Sequence, residues 1–312
     1  MKKNFYFWMK AFIAVVAVVL LIKVFAFTSC TIPSSGMENS LYRGDRIIVN
    51  KWSYGFRTPL ISLFSYHRWG DSPINRNDIV IFNNPHPASP QTAIDNRGIF
   101  ISRCVGVPGD TLMLDKQQFV TSQEIISPDT KLLYAYPREK EDTLTHMLRK
   151  LGIDNNELVA YNDTGFIRSL SHYEVYLLNQ ESGNQIKFQP LQGMDSNEVH
   201  PFIIPGKGQS IRVYPWNVRL LRNAIAQHEG KNASIKGDTL LVNGNKVFSY
   251  TFSKDYYWMA SNNFINLSDS RLFGLVPKDH IIGKAAYVWF SKDNEVGLFD
   301  GYRWNRFFQA VK

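Results

Sequence analysis

The stretch IPSSGMENSL, residues 32–41, places two serines and a glycine directly after a long apolar segment near the N-terminus. A hydroxyl nucleophile needs a strained, exposed position and a neighbouring base. Between Ser35 and Met37, however, the residue is Gly36, and glycine in a strand often marks a bulge or a close backbone approach. The stretch therefore raises the question of whether this position carries chemistry or only structure.

The residues before this stretch decide the compartment. The uncharged run Ala11–Ile22 is shorter than the roughly 20 residues that a membrane-spanning helix needs. Counted from Phe5 to Phe27, the segment is long enough if Lys10 and Lys23 extend their ammonium groups towards the two interfaces. We therefore predict that residues 1–27 form a cytoplasmic tail and a single transmembrane anchor in the inner (cytoplasmic) membrane. The rest of the chain is then extracytoplasmic.

Two other interpretations of the N-terminal segment stay open. It resembles a signal peptide that is cleaved after small residues near Ala26 and Thr28. It could also be a lipoprotein leader that ends at Cys30. The chain has one further cysteine, Cys104, so no disulfide framework supports the fold and a single Cys30–Cys104 bridge is the only pairing that the sequence allows.

Composition excludes several classes of protein. With 312 residues, of which 44% are hydrophobic, the chain can bury a substantial core. Its net charge of +8 suits an anionic partner, and without a basic block interleaved with aromatic residues we expect membrane lipid rather than nucleic acid. The seven histidines are scattered without ligand spacing, so we expect no metal site and no cofactor.

Periodicity predicts a mainly β protein. Alternating or apolar runs predict strands at residues 46–49, 78–82, 98–101 and 283–290, and Asn243-Gly244 predicts the turn of a hairpin between residues 239–242 and 246–248. Two helical patterns lie farther into the chain. One runs through Leu144 and Leu148 with Asp142 as its cap and Gly152 as its end, and the other lies between residues 217 and 230. We therefore predict an α/β insertion at residues 113–235 between two parts of an antiparallel β core, residues 28–112 and 236–312.

Four stretches in order match one family pattern. They are IPSSGM with LYRGD (residues 32–37 and 41–45), NDIVIF (residues 77–82), FISRCVGVPGD (residues 100–110), and SDSRLFG (residues 268–274) with GKA (residues 283–285). Together they resemble bacterial type I signal peptidase of the S26 family, a membrane-anchored serine–lysine endopeptidase. The segment RWNR, residues 303–306, is similar as well. The resemblance covers most of the chain beyond the anchor and implies the family's antiparallel β core.

The resemblance also implies where the catalytic groups should be. The family's nucleophilic serine falls on Gly36 and its general-base lysine on Ser102. The serine that orients the lysine falls on Asn266 or Leu267, whereas Ser34 matches the hydroxyl of the oxyanion hole. Because side chains alternate faces along a strand, Ser35 should point away from the site. Ser102 cannot replace the lysine, since a neutral hydroxyl is a negligible base near pH 7.

Other positions match the surroundings of the family's site. The side chains of Asp269 and Arg271 match a pair that braces it. Four residues match the small pockets for the alanines before the cleavage point, or alternatively fill the core: Ile32, Pro33, Leu41 and Ile101.

These features predict a signal-peptidase-like membrane protein that has lost serine–lysine catalysis. It would bind signal-peptide segments of exported proteins, or associate with an active signal peptidase or the export machinery. The alternative is an active signal peptidase with a displaced catalytic pair, and a structural protein of the membrane surface is a further alternative.

Overall fold

Every strand pairing among the described residues of the computed structural model is antiparallel, as the sequence predicted. The structure describes residues 2–89, 91–115, 130–153, 156–161, 163, 165–191, 199–263, 269–293, 296–297 and 299–311. The strands are β1 (Phe27–Thr31), β2 (Asp45–Asn50), β3 (Phe56–Arg57), β4 (Arg68–Trp69), β5 (Ile79–Asn83), β6 (Ile99–Gly106), β7 (Thr111–Leu114), β8 (Lys131–Pro137), β9 (Leu158–Tyr161), β10 (Gly165–Ser171), β11 (Gln189–Pro190), β12 (His200–Ile203), β13 (Ser210–Arg212), β14 (Ala233–Lys236), β15 (Thr239–Val242), β16 (Asn245–Val247), β17 (Ser249–Thr251), β18 (Tyr256–Ala260), β19 (Val276–Pro277), β20 (Ile281–Ser291) and β21 (Gln309–Ala310). The helices are α1 (Lys2–Phe25), α2 (Glu141–Lys150), α3 (His172–Ser182), α4 (Val218–His228) and α5 (Ser270–Phe273).

The central sheet has the strand order β1-β2-β20-β5-β6-β18-β19, with β21 paired to β20. Its strands β2, β5, β6 and β20 confirm the four runs predicted from the sequence. Gly283 lies where β20 passes closest to the end of β2, and a Cβ atom there would lie 2.3 Å from the carbonyl oxygen of Asn50. Only glycine permits this approach, which explains the residue type at that position of the motif.

The predicted hairpin is confirmed as well. Strands β15 and β16 are joined by Asn243 and Gly244, whose φ angles of 51° and 83° are those that a two-residue hairpin turn requires.

The two predicted helices are confirmed as α2 and α4, with one correction. Asp142 does not cap α2: the N-cap position is Lys140, which makes no side-chain capping bond, and Asp142 lies inside the first turn. There its carboxylate faces the positive end of the helix dipole. Gly152 follows the helix with a φ of 65°, as expected for a residue that ends one.

Sequence reasoning missed α3. Its N-terminus carries a capping box, in which the Ser171 hydroxyl accepts a hydrogen bond from the backbone of Glu174 and the Glu174 carboxylate accepts one from the backbone of Ser171. Gly183, with a φ of 58°, ends the helix. The pattern Ser-x-x-Glu was the available signal, but the helix has no clear apolar stripe to accompany it.

The N-terminal helix α1 is long and apolar enough to cross a membrane over the 20 residues Tyr6–Phe25. At 1.5 Å per residue this span is about 30 Å long, which matches the hydrocarbon thickness of a bilayer. The side chains of the span are exposed in the isolated chain.

Three apolar clusters stabilise the sheets and the helices that pack on them. Strands β8–β11 with α2 and α3 enclose a cluster that includes Tyr134, Leu144 and Leu178. Beneath the central sheet, a second cluster contains Ile47, Ile81 and Val288. A further cluster joins residues of α4 and β12 to Trp258 of β18, thus linking residues on both sides of position 235. The domain boundaries at residues 112 and 235 stay a prediction.

Candidate functional site

Gly36 lies in a 3-10 turn, Ser35–Met37, rather than in a strand. Ser34 precedes the turn in extended conformation, with φ −141° and ψ 172°, and the amide of Leu41 donates to the carbonyl of Met37 at 2.7 Å. The strand that we assumed for this motif is therefore wrong, because alternation of faces does not apply within a 3-10 turn. The orientation of the Ser35 hydroxyl relative to a bound peptide stays a prediction.

Ser102 lies in β6 and is fully buried. It is paired in register with Val80 of β5. The turn that contains Gly36 packs against β6, so the structure brings the two predicted catalytic positions into adjacent elements. The Arg103 guanidinium joins these elements, because its Nη2 donates to the Ser40 hydroxyl at 2.7 Å.

Asn262 and Asn263 hold the turn from the other side. The side-chain amide of Asn262 donates to the Ser40 hydroxyl at 2.8 Å and to the carbonyl of Glu38 at 3.1 Å. The backbone amide of Asn263 donates to the carbonyl of Gly36 at 3.0 Å. The backbone around residue 36 is thus fixed by several hydrogen bonds that do not depend on the side chain at that position.

The Asp269–Arg271 pair is present and buried. The Asp269 carboxylate caps α5, forms an ion pair with Arg271 and accepts a hydrogen bond from the backbone amide of Ser261 at 2.7 Å. The pair therefore fixes the chain next to Asn262. The two candidate positions for the orienting serine, Asn266 and Leu267, lie outside the described residues.

The predicted pocket residues fall into two groups. Ile32 and Leu41 are buried, at 2% and 0% exposure, in the apolar cluster beneath the central sheet. Ile101 packs against that cluster but remains partly exposed, and Pro33 is exposed. Of the four, only Ile101 and Pro33 offer a surface to a peptide in this conformation. A role in substrate binding stays a prediction for all four.

The start of β6 has a free edge in the described part of the chain. Strand β5 pairs with β6 from Ile99 to Arg103, whereas β18 pairs with it only at Arg103, Cys104 and Gly106. Residues 99–101 therefore have a strand partner on one side alone. Strand β1 forms one border of the same sheet and pairs only with β2. Such edges are where an extended peptide can add as a further strand.

A buried lysine that sequence reasoning missed lies behind the turn. Lys131, the first residue of β8, is 0% exposed, and its ammonium lies 3.8 Å from carboxylate oxygens of both Glu38 and Glu174. Its backbone amide donates to the carbonyl of Asn262 at 2.5 Å. No hydrogen-bond partner of the Lys131 ammonium is found among the described residues. Lys131 therefore links β8 to Glu38, next to the turn, through charge, and its backbone links β8 to Asn262.

Glu38 is the acidic member of this cluster next to the turn. Its carboxylate accepts a hydrogen bond from the side-chain amide of Asn263 at 3.2 Å. Burial raises the pKa of Glu38 above its ordinary value, while the neighbouring Lys131 charge opposes that shift. Asn263 in turn accepts a hydrogen bond from the Ser169 hydroxyl of β10 at 3.0 Å. The sheet of β8–β11 thus contacts the candidate site through polar groups on both β8 and β10.

The C-terminal RWNR segment contacts the chain between Ser40 and Asp45, just after the turn. The guanidinium of Arg306 forms an ion pair at 2.7 Å with the fully buried Asp45 and donates to the carbonyl of Ser40 at 3.0 Å. Its Cζ atom lies 4.2 Å from the centre of the Tyr42 ring. This explains why an arginine so far along the chain accompanies the LYRGD motif.

Comparisons with known proteins identify the family of the chain. The model of the family described as "Signal peptidase, peptidase S26" matches residues 6–194 and 220–290. The signal peptidase I of Haemophilus influenzae is 26% identical over an alignment of 318 residues, gaps included. This alignment covers 96% of this chain and 73% of that protein. The signal peptidase I of Helicobacter pylori strain J99 is 24% identical over an alignment of 331 residues, which covers 99% of this chain and 94% of that protein. The signal peptidase I of Rickettsia bellii is 30% identical over an alignment of 323 residues, which covers 97% of this chain and 84% of that protein.

The match to the family spans both ends of the central sheet, from α1 to β20, and includes the turn, β6 and the Asp269–Arg271 pair. The chain therefore belongs to the peptidase S26 family of signal peptidases.

Proposed function

We propose that this protein binds signal-peptide segments of exported proteins at a site that has lost serine–lysine cleavage. The observation that carries the proposal is the combination of Gly36 and Ser102 with an intact surrounding network. A glycine has no hydroxyl to attack a carbonyl carbon, and the buried Ser102 has no amine to accept a proton. The hydrogen bonds from Arg103, Asn262 and Asn263 nevertheless hold the turn in place.

Rate arguments support the loss of useful cleavage. In a serine peptidase, removal of the nucleophile lowers the catalytic rate about 10⁶-fold, and removal of the base as well costs little more. The hydroxyl of Ser34 and the backbone of the turn would leave only binding and oxyanion contacts. A cleavage assay of the purified chain on a model preprotein tests this directly, and turnover comparable to that of an active signal peptidase would contradict the proposal.

The alternative is an active peptidase with a displaced catalytic pair, for which Lys131 is the lysine to consider. It is buried and lies close to the turn, as a general base would. Against this role, its ammonium lies between two carboxylates and makes no hydrogen bond to any described hydroxyl. A base must reach the proton that it removes, so the geometry favours binding over displaced catalysis.

The proposed mode of binding is strand addition. An extended Ala-x-Ala segment would pair with the free edge of residues 99–101 in β6 and place its small side chains near Ile101. Affinity would be modest because methyl-sized side chains bury little area. A peptide held this way could also be presented to an active signal peptidase or to the export machinery, which is the partner that we propose.

Replacing Ile101 with tryptophan is expected to abolish binding of an Ala-x-Ala peptide, because the indole would fill the space that the peptide needs. Fluorescence anisotropy of a labelled peptide with the full chain in detergent measures the affinity. The matched control is Ile203→Trp, since Ile203 is 45% exposed on β12, a strand of the separate two-stranded sheet formed with β7. Unchanged affinity in the Ile101 variant would show that the peptide binds elsewhere.

We also propose that α1 stays attached as a membrane anchor, with the β domain outside the cytoplasm. The apolar span ends at Phe25 and β1 begins at Phe27, so no room is left for an extended cleavage site. N-terminal sequencing of membrane-extracted protein is expected to find the chain starting at or near Met1. A mature N-terminus at Ser29 or Cys30 would instead identify a cleaved leader or a lipoprotein.

A further inference from the structure

A cavity of about 500 Å³ lies where the end of α1 meets the central sheet. Its apolar wall comes from α1 and from residues of the sheet and its loops, namely Leu20, Val24, Phe25, Phe56, Ile99 and Ile282. Three cationic side chains and one anionic side chain also line it: Lys23, Lys51, Arg57 and Asp95. The cavity thus combines an apolar surface with an excess of positive charge.

The positive charges differ in how they are balanced. Both terminal nitrogens of the Arg57 guanidinium donate hydrogen bonds to the side-chain oxygen of Asn83 at 3.0 Å. The guanidinium also lies 3.8 Å from the Asp95 carboxylate. Lys51 donates instead to the last carbonyls of α1, those of Lys23 at 2.8 Å and Val24 at 3.0 Å. Neither Lys23 nor Lys51 forms an ion pair with a carboxylate in the described ranges. Two cationic groups therefore remain without an anion.

The surroundings of Lys51 also act on its charge. Burial lowers the pKa of Lys51, Cys30 opposes that shift, and the neighbouring charges of Arg57 and Lys23 lower the pKa further. A bound anion would relieve this repulsion. The first structural condition for an anion site, a cluster of cations that have no carboxylate partner among the described residues, is therefore met.

We propose that this cavity binds the headgroup of an anionic phospholipid, with the phosphate at Lys23 and Lys51 and an acyl chain along α1. The apolar walls favour a lipid over free phosphate, because inorganic phosphate would leave them uncovered. Position supports the same choice, since Lys23 and Lys51 lie at the end of a span about 30 Å long, where headgroups would be. A signal peptide suits the cavity less well, because its own segments are basic or apolar and bring no anion.

The inference rests on the proposed membrane anchorage but not on the proposed loss of cleavage. Its test therefore measures lipid retention and uses neither a peptide nor an activity readout. Failure of lipid selectivity would leave the peptide-binding proposal untouched, and the reverse also holds.

The experiment titrates the full chain, purified in mild detergent, with phosphatidylglycerol or phosphatidylcholine and counts bound lipid by native mass spectrometry. The variants are Lys23→Gln, Lys51→Gln and the double variant, with Lys236→Gln on the exposed β14 as the matched control. Lys51→Gln removes the hydrogen bonds from Lys51 to the end of α1 and could disturb that helix end. Lys23 contributes only its backbone carbonyl to these bonds, so Lys23→Gln removes a charge and keeps the helix end intact.

The wild-type chain is expected to retain phosphatidylglycerol in preference to phosphatidylcholine. Each single variant should lose about fivefold in affinity, and the double variant about 25-fold, as expected for two cations near a lipid phosphate. The Lys236→Gln variant should match wild type. Equal retention of the two lipids, or an unchanged affinity in Lys23→Gln and in the double variant, would overturn the proposal. Displacement of the lipid by inorganic phosphate or by a signal-region peptide would overturn it too, by assigning the cavity to that ligand.

Discussion

The double variant Gly36→Ser with Ser102→Lys is expected to cleave a preprotein, whereas the wild-type chain is expected to leave it intact. It restores a hydroxyl on the turn and an amine on β6, in elements that already pack against each other. Each single variant should remain at the background of the wild type, because a nucleophile and its base act as one unit. Release of the mature fragment, followed by gel electrophoresis over time, measures the gain.

Recovery of the cleavage rate should be partial. We expect about 10² to 10³-fold over background, compared with the roughly 10⁶-fold that a complete serine peptidase site contributes to the catalytic rate. Ser102 is fully buried, so a lysine there must displace neighbouring atoms. By resemblance the family's orienting serine corresponds to Asn266 or Leu267, so the introduced lysine is expected to lack it, and a loosely held base is a poor one. The matched control is Gly36→Ala with Ser102→Met, which adds similar bulk without chemistry. Equal cleavage by wild type, control and double variant would place the catalytic groups elsewhere.

Replacing Lys131 with methionine is expected to lower the free energy of unfolding by about 3 kcal/mol. Methionine fills much of the same volume, but it leaves the carboxylates of Glu38 and Glu174 without the cation between them. Removal of one partner of a buried ion pair typically costs about 3–5 kcal/mol, and the lower end applies because both carboxylates retain some exposure. Urea unfolding of the full chain in detergent, followed by the fluorescence of tryptophans such as the buried Trp258, measures the loss.

The control for this variant is Lys150→Met on α2. Lys150 also pairs with a glutamate, Glu181, but its side chain is 58% exposed, so its loss should cost about 0–1 kcal/mol. A combined Lys131→Met and Glu38→Gln variant should regain part of the lost stability, because one unpaired charge is removed. If Lys131→Met is as stable as Lys150→Met, the buried lysine does not hold the insertion to the turn.

The sequence was sufficient for the parts of the site that depend on local spacing. The strands around Ser102 show their own apolar runs and were predicted from them, whereas the Asp269–Arg271 pair was predicted only from the family resemblance. The 3-10 turn at residues 35–37 was mistaken for a strand, because three residues are too few for periodicity to distinguish the two. Lys131 could not be predicted, since its partners Glu38 and Glu174 are far away in the sequence and a lysine carries no local sign of burial.

The order of strands in the central sheet has a consequence for how the chain is made. Strand β20 lies between β2 and β5, yet its first residue comes 198 residues after the end of β5 and 231 residues after the end of β2. Until residues 281–291 emerge, each of these strands lacks a neighbour and exposes an unpaired edge. The sheet of β8–β11 closes within residues 131–191, so it is the part that can fold while the remainder waits. Chains truncated before β20 should therefore retain a folded insertion but aggregate through the open edges of the core.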